Sequence, residues 1–158
     1  MVDGRYRQGP PDVRDHARIR RILFNAPSSR QPARIAPFIA DDVDWLIVGP
    51  IELFSFCGQH FGKDAVLQAY GRMAEGNTTA FHARDFLMTD GESASGLARL
   101  TDVQRATGRQ VMLRLAQFAR FREGKVVEFC SVTDTLGAAE QVVGHALIST
   151  ADAPALAE

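Results

Sequence analysis

The sequence predicts an α+β fold in which helices come first and a sheet of mostly antiparallel strands follows. Apolar residues recur at helical spacing in residues 12–24 and again in residues 65–73. After Asn77 the chain instead consists of long extended segments joined by short glycine turns, a pattern typical of a meander. The helices therefore have one sheet to pack on.

The length of 158 residues fits a single domain, because chains divide into separate cores only beyond about 250 residues. With 46% hydrophobic and 23% charged residues, the chain can bury a sizeable core. We expect this domain to span residues 12–148. Residues 1–11, which hold two glycines and two prolines, and residues 149–158, which are rich in alanine, are expected to be flexible tails.

The charge balance argues against nucleic acid and membrane partners. Eighteen Lys and Arg residues stand against nineteen Asp and Glu, so no basic excess is present to neutralise phosphates or anionic lipids. Apolar runs such as residues 45–48 are far shorter than the ~20 residues of a membrane span. Residues 1–8 lack the apolar block of a secretory signal, so we expect a cytoplasmic protein.

The cysteines and histidines give no indication of a metal site. Cys57 and Cys130 are isolated thiols, which fit neither a disulfide framework nor a zinc site. The four histidines do not form an HxH or HxxxH pair. We therefore expect no metal and no cofactor.

The first half of the chain is predicted to hold two helices and two extended pieces. The helix at 12–24 places five apolar residues against arginines on its other side. Prolines and serines in 25–32 break it, and a short second helix at 33–40 follows. A β-branched and aromatic strand at 43–48 ends at Gly49-Pro50, before a second extended piece at 51–56.

The second half begins with the clearest helix, at 65–73, which Gly76 ends. Aspartate at 134 is expected to cap a last helix over residues 136–143, and Gly144 to end it. Between these helices, four antiparallel strands are predicted in meander order at residues 78–89, 92–104, 109–122 and 125–133.

The strand at 109–122 has apolar side chains on both faces of the sheet. Its odd positions are Val111, Leu113, Leu115, Ala119 and Phe121, interrupted by Gln117, and its even positions include Met112, Ala116 and Phe118. One face can pack on the helices, and the other needs a second cover. A second subunit is the simplest cover, so we expect a homodimer through the outer face of the sheet.

Three segments carry a resemblance to a known superfamily. Residues 40–45 (ADDVDW), 61–66 (FGKDAV) and 121–129 (FREGKVVEF) resemble motifs of SnoaL-like and ketosteroid-isomerase-like proteins, which share the nuclear-transport-factor-2-like fold. The order of helices and strands is similar over roughly residues 12–144. The resemblance implies helices packed on a curved, mostly antiparallel mixed sheet, forming a cone with a pocket. It does not select one activity, because this fold hosts isomerases, cyclases, hydrolases and non-catalytic binders.

Comparison with three activities of the superfamily gives mixed results. The resemblance places the base and the proton donor of ketosteroid isomerase near Ile47 and Ala116, and neither residue can move a proton. Residues 132–137 (VTDTLG) resemble the segment with the catalytic aspartate of polyketide cyclases, which implies a role for Asp134. Residues 100–106 (LTDVQRA) resemble a strand of limonene epoxide hydrolase, which implies that Asp102 is a second acid beside Asp134, although Leu100 stands where that enzyme has arginine.

Asp134, Asp102 and His60 are therefore the candidate catalytic residues. A carboxylate inside an apolar cone is desolvated, and this raises its pKa toward that of a useful base. The alternatives remain open: Asp134 as a helix N-cap, Asp102 on a solvated or dimer face, and His60 as a surface residue. The predicted ligand-binding wall consists of Trp45, Phe54, Tyr70, Arg114, Ala116, Phe118 and Phe129.

These features predict a cofactor-independent acid–base enzyme of the SnoaL-like type, acting on a small apolar or cyclic molecule as an isomerase, cyclase or hydratase. One alternative is a non-catalytic ligand-binding or dimerisation module of the same fold. Another is an epoxide-hydrolase-like enzyme.

Overall fold

The fold is described from a computed structural model of the chain, which covers residues 31–90 and 92–148. The predicted helix at 12–24 and both predicted tails lie outside the described residues. The elements are α1 (Pro32–Ile35), a 3-10 turn (Ala36–Phe38), β1 (Ile39–Ile47), β2 (Gly58–Phe61), α2 (Lys63–Gly76), β3 (Asn77–Thr89), β4 (Ser93–Gln104), β5 (Gln110–Arg122), β6 (Lys125–Val132) and α3 (Thr135–Val143).

The six strands form one curved sheet in the order β2-β1-β6-β5-β4-β3. Strands β3 to β6 make the predicted antiparallel meander, and β1 pairs parallel to β6 at its other side. The sheet is thus mixed and mostly antiparallel, which confirms the predicted α+β fold class. No helix in the described part of the chain is long and apolar enough to cross a membrane.

The structure corrects the prediction at the start of the sheet. The helix expected at 33–40 is only α1 and the 3-10 turn, and β1 begins at Ile39 rather than at residue 43. Asp41 and Asp42 lie exposed within β1, where the register with β6 shifts. Arg122 pairs with Asp42 at 2.8 Å, so an aspartate is tolerated in this exposed stretch of strand.

The extended piece predicted at 51–56 is wrong. The backbone N–H groups of Leu53 and Phe54 both donate to the carbonyl of Pro50, and Cys57 donates to Phe54. The chain therefore turns over this segment, and the strand β2 begins only at Gly58. Gly58 has a φ of 105°, a conformation that glycine adopts without the strain of a side chain.

The inner, concave face of the sheet carries two apolar clusters. The first lies between β1, β6 and α2, where Trp45 stacks on Phe129 with ring centroids 4.0 Å apart and meets Tyr70 edge-on at 5.9 Å. The second lies near the other end of the face and consists of Phe54, Cys57, Val111 and Ala138. Helix α2 covers the first cluster, and α3 with the turn at 48–57 covers the second.

Helix α3 is held against β5 by polar contacts. The amide of Gln141 accepts from the backbone N–H of Met112 at 2.7 Å and donates to its carbonyl at 3.0 Å, as a neighbouring strand would. Strand β6 pairs with β5 only from Ala116 onward, so the helix takes the place of a strand partner before that point. Arg109 adds a bond to the carbonyl of Val142.

The N-terminus of α3 is capped by Asp134, as predicted. Its Oδ1 accepts from the backbone N–H of Gly137 at 3.0 Å, and Gly144 ends the helix with a φ of 83°. A Cβ atom at Gly137 would collide with the Asp134 carboxylate, so the cap in this form requires glycine there.

We expect Gly71→Ala and Gly137→Ala to have opposite effects on stability. A Cβ at Gly71 meets no atom within 4 Å, so alanine should raise the free energy of unfolding by about 0.5–1 kcal/mol through helix propensity. Alanine at 137 displaces the capping carboxylate and should therefore lower the free energy of unfolding. Urea denaturation measures both variants, and equal stabilisation by both would contradict the capping geometry.

Candidate functional site

A cavity opens on the inner face of the sheet, where the two apolar clusters meet. The cavity itself has a volume of about 70 Å³, and the empty space reaches about 770 Å³ when the solvent at its open mouth is included. Its floor is made by residues of β4, β5 and β6, and its cover by α2, α3 and the turn at 48–57. The apolar lining residues include Ile47, Phe54, Phe56, Tyr70, Leu100, Val111, Leu113, Leu115, Phe129 and Ala138.

Five polar side chains interrupt this apolar lining. They are Asn77, Asp102, Gln117, Ser131 and Thr133. Four of them are buried to more than nine-tenths, and Thr133 is half-buried. Buried polar groups are costly unless they are hydrogen-bonded, so each of these side chains needs a partner in the protein or in the cavity.

Asp102 is the one carboxylate in the cavity wall among the described residues. It is 5% exposed and lies on β4, opposite Val111 of β5 and Thr79 of β3. The hydroxyl of Thr79 donates to its Oδ1 at 3.0 Å. A buried carboxylate in an apolar wall is suited to accept a proton or a hydrogen bond from a bound molecule.

His82 lies beside this acid on the edge strand β3, opposite Leu100 and therefore on the same face as Asp102. Burial lowers the pKa of His82, and the charge of Arg84 acts in the same direction. The Asp102 carboxylate opposes both by favouring the imidazolium. The net shift is downward, which favours a neutral imidazole near the acid.

The middle of the floor holds a second polar group of residues. Gln117 of β5 is 3% exposed and pairs with Ser131 of β6. Neither Gln117 Oε1 nor the buried Oγ1 of Thr133 has a hydrogen-bond partner among the described residues. These two oxygens are thus buried in the cavity wall without a protein partner in that part of the chain.

The structure brings together four of the residues predicted for the site. Asp102, Phe54, Tyr70 and Phe129 line the cavity. Trp45 lies behind this wall, 1% exposed and stacked on Phe129, so it supports the wall rather than facing a ligand.

The predicted placement of Arg114, Ala116 and Phe118 in the cavity is corrected. Strand β5 directs its odd residues to the cavity, and these three even residues lie on the outer face. Arg114 lies 3.7 Å from the carboxylate of Asp85, and Phe118 is 52% exposed. The prediction placed the even residues inside, where the structure has the odd ones.

Asp134 and His60 lie outside the cavity lining. Asp134 is exposed and its carboxylate caps α3, as described above. The Nε2 of His60 bonds to the carbonyl of Phe56 at 2.9 Å and thereby ties β2 to the turn at 48–57. Arg72 of α2 holds the same turn through the carbonyl of Ser55 at 2.9 Å. His60 and Arg72 therefore both hold the turn that covers the cavity.

The two thiols differ in their position relative to the cavity. Cys57 lines the cavity, and burial raises the pKa of its thiol to about 11, so the reactive thiolate is disfavoured. Cys130 lies on the outer face, where burial and then the charge of Glu128 raise its pKa. Residues 31–90 and 92–148 hold no group of three His, Cys, Asp or Glu side chains that could bind a metal.

Two residues of the site were missed from the sequence. Histidine spacing argues only against a metal site and gives no role to His82, and Gln117 enters the sequence prediction only as an interruption of an apolar face. The signal for Gln117 was present, because a single amide in a run of inward apolar residues indicates a polar contact inside the core. His82 could not be found in this way, since irregular registers flank it in β3 and hide the face it occupies.

Comparison with known proteins agrees with this architecture. The family model described as SnoaL-like domain matches residues 19–129. A solved structure from Rhodopseudomonas palustris, described as "Putative Isomerase", is 32% identical, with a TM-score of 0.75, and the match covers 83% of this chain and 97% of that one. None of the curated proteins compared with the chain matches it.

Two further structures show the range of the fold. An NTF2-like protein from Burkholderia thailandensis is 26% identical, with a TM-score of 0.66, and the match covers 80% of this chain and 95% of that one. An LEH-like epoxide hydrolase from M. tuberculosis is 12% identical, with a TM-score of 0.67, over 85% of this chain and 93% of that one. At 12% identity the likeness shows the fold alone.

The lowered pKa of His82 predicts a pH dependence of stability. Below its ordinary pKa of about 6.5, the unfolded chain takes up a proton that folded His82 resists, so stability falls as the pH drops from 7 toward 5. His82→Gln removes this contribution and should flatten the decline in melting temperature. The exposed His145 provides a control, His145→Gln, which should leave the decline unchanged. A decline as steep in His82→Gln as in the wild type would contradict the prediction.

Proposed function

This chain belongs to the SnoaL-like domain family, and from that premise we propose that it is an acid–base enzyme acting on a small, largely apolar molecule. The observation that carries the proposal is the carboxylate of Asp102, which is 5% exposed in the wall of an apolar cavity. Asp102 is the proposed base. The substrate binds over the leucines of the floor and presents an acidic C–H or O–H group to it.

The surroundings of Asp102 support this role. Burial leaves little room for water around this carboxylate, so a bound molecule can contact it directly. The hydroxyl of Thr79, 3.0 Å from Oδ1, fixes its orientation. His82 lies on the same face of the sheet, and its lowered pKa favours the neutral imidazole. The proposed step is a proton transfer between substrate and side chain, as in isomerases, cyclases and hydratases.

The epoxide-hydrolase alternative lacks one of the groups that its chemistry uses. Asp102 fits the motif, but Leu100 stands in the arginine position and lines the cavity. Arg99, the adjacent residue, lies exposed on the outer face and donates to Asp85 at 2.8 Å. No arginine of the cavity lining among the described residues is available to bridge two acids. We therefore retain proton transfer as the proposed chemistry.

A carbon-acid probe tests the proposed base without knowledge of the natural substrate. The neutral aromatic 5-nitrobenzisoxazole loses the proton of its C–H group to a base, the C–H electron pair completes a nitrile, and the N–O bond breaks to give a coloured phenolate. We expect Asp102→Asn to lower kcat/KM for this reaction at least about 100-fold. The amide keeps an acceptor for Thr79, so the melting temperature should change little.

Two matched variants make this outcome decisive. Glu75→Gln removes an exposed acid of α2 and should leave the rate unchanged. If Asp134→Asn abolishes the rate and Asp102→Asn does not, the base is Asp134, as the cyclase resemblance implies. If the probe binds but no variant differs from the buffer rate, the chain is a non-catalytic ligand-binding module.

We also propose that the protein is a homodimer through the outer face of the sheet. This face carries exposed apolar side chains on three strands, namely Phe81, Phe86, Met88, Met112, Phe118 and Val132. Met112 is 67% exposed and Met88 is 63% exposed. Together with the phenylalanines they form an exposed apolar patch, which marks an interaction site more often than a single exposed apolar residue does. Asp85, Arg99 and Arg114 add an ion-pair cluster among them. An apolar face of this kind with polar pairs is typical of an interface between identical subunits.

Light scattering should therefore give the mass of two chains for the wild type and of one chain for Met112→Lys, which places a charge in the proposed interface. Ile51 is 57% exposed in the turn at 48–57, which covers the inner face instead, so Ile51→Lys is a matched control that should remain dimeric. A monomeric wild type at working concentration would contradict the dimer. A dimer that Met112→Lys leaves intact would contradict this face.

A further inference from the structure

The buried amide of Gln117 is a polar feature of the cavity that the proposed proton transfer does not use. Its side chain is 3% exposed, and Oε1 has no hydrogen-bond partner among the described residues. A buried acceptor in this state destabilises the folded protein unless a donor reaches it. Because Gln117 lines the cavity, a bound molecule can supply that donor.

A second oxygen in the same state lies close by. Gln117 pairs with Ser131 of β6. Thr133 follows Ser131 by two residues, just after the end of β6, and therefore lies diagonal to Gln117 on the same face. Diagonal neighbours in a sheet lie about 7–8 Å apart. The Oγ1 of Thr133 is also buried without a partner among the described residues. One oxygen atom between the two side chains can therefore reach both.

The chemistry of the two groups selects the ligand atom. The carbonyl oxygen of an amide only accepts a hydrogen bond, whereas a threonine hydroxyl donates as well as accepts. A ligand hydroxyl can donate to Gln117 and accept from Thr133 at the same time. A carbonyl or an ether oxygen offers no donor to Gln117, and a protonated amine offers no acceptor to Thr133.

The position of this pair separates it from the proposed base. Val111 lies opposite Asp102, and Gln117 follows it by six residues on the same strand and face. At about 3.3 Å per residue the two points are up to roughly 20 Å apart along the strand, with Leu113 and Leu115 between them. The hydroxyl-binding pair is thus a separate part of the cavity, with an apolar floor on the way to Asp102.

The charge of the lining narrows the ligand class further. Among the described residues the lining has the carboxylate of Asp102 and no lysine, arginine or histidine. A carboxylate or phosphate ligand would lose its hydration and meet a charge of its own sign. We infer that the cavity binds neutral, mostly apolar molecules that carry a hydroxyl group, with this hydroxyl held between Gln117 and Thr133. The inference rests on the cavity of the proposed function but not on Asp102 acting as a base.

A pair of matched probes tests this inference by binding alone. The two probes, 2-naphthol and 2-methoxynaphthalene, share a ring system, but only 2-naphthol has a hydroxyl donor. Titration calorimetry should show the wild type binding 2-naphthol about 5–10-fold more tightly, the effect of one good hydrogen bond. Gln117→Leu should bind both probes equally, with the affinity for 2-methoxynaphthalene little changed. Thr133→Val should lose part of the preference.

The melting temperature of the free protein gives a second readout. Since Gln117→Leu removes a buried acceptor that has no protein partner in the described residues, it should raise the melting temperature by about 2–4 °C. Gln117→Met, which keeps the length of the side chain, serves in its place if leucine prevents folding. A lower melting temperature in both variants would show that the amide is a structural contact and would overturn the inference.

The variant Asp102→Asn separates this inference from the proposed function. It should keep the preference for 2-naphthol even though the carbon-acid reaction is lost. If Asp102→Asn abolishes the preference and Gln117→Leu keeps it, the hydroxyl binds at the acid and the inference is wrong. Equal affinities of the wild type for both probes would mean that water alone serves Gln117, and would overturn it as well. If Asp102→Asn retains the carbon-acid reaction while the wild type still prefers 2-naphthol, only the proposed base is contradicted.

Discussion

The alternation of side chains along β5 decides what this protein can do. Odd residues of the strand face the cavity and even residues face outward, so a shift by one position would exchange the two surfaces. Leucines at 113 and 115 give the cavity an apolar floor, and Gln117 adds one amide to it. The outward set leaves Met112 and Phe118 exposed. A binding site and a candidate interface thus arise from two faces of one strand.

The cavity exists because the inner face is covered at its two ends and less so between them. Helix α2 packs over the stacked rings of Trp45 and Phe129, and α3 is bound to the start of β5 through Gln141. Buried acceptors without a protein partner are unfavourable for folding, and among the described residues Gln117 Oε1 and Thr133 Oγ1 are of this kind. Their presence in an otherwise apolar wall is what a ligand that uses them would explain.

Local patterns were sufficient to predict most of the fold. The four-strand meander, its glycine turns, α2 and the capped α3 follow from periodicity, and the resemblance of three motifs supplied the cone. The pairing of β1 with β6 and the turn at 48–57 depend on contacts between distant residues, so no local pattern specified them. For the site, Asp102 was predicted, but the face of each β5 residue was not, because both faces are apolar. The arginine at 114 was placed inside for that reason.

The most direct test of this account is a methyl NMR spectrum of the protein with labelled Leu, Val and Met residues, recorded with and without 2-naphthol. The account predicts shift changes at Val111, Leu113 and Leu115, which line the cavity, while Met112 and Val132 on the outer face keep their positions. Shifts confined to Met112 and Val132 would place binding on the outer face and contradict the assignment of the inner cavity as the ligand site.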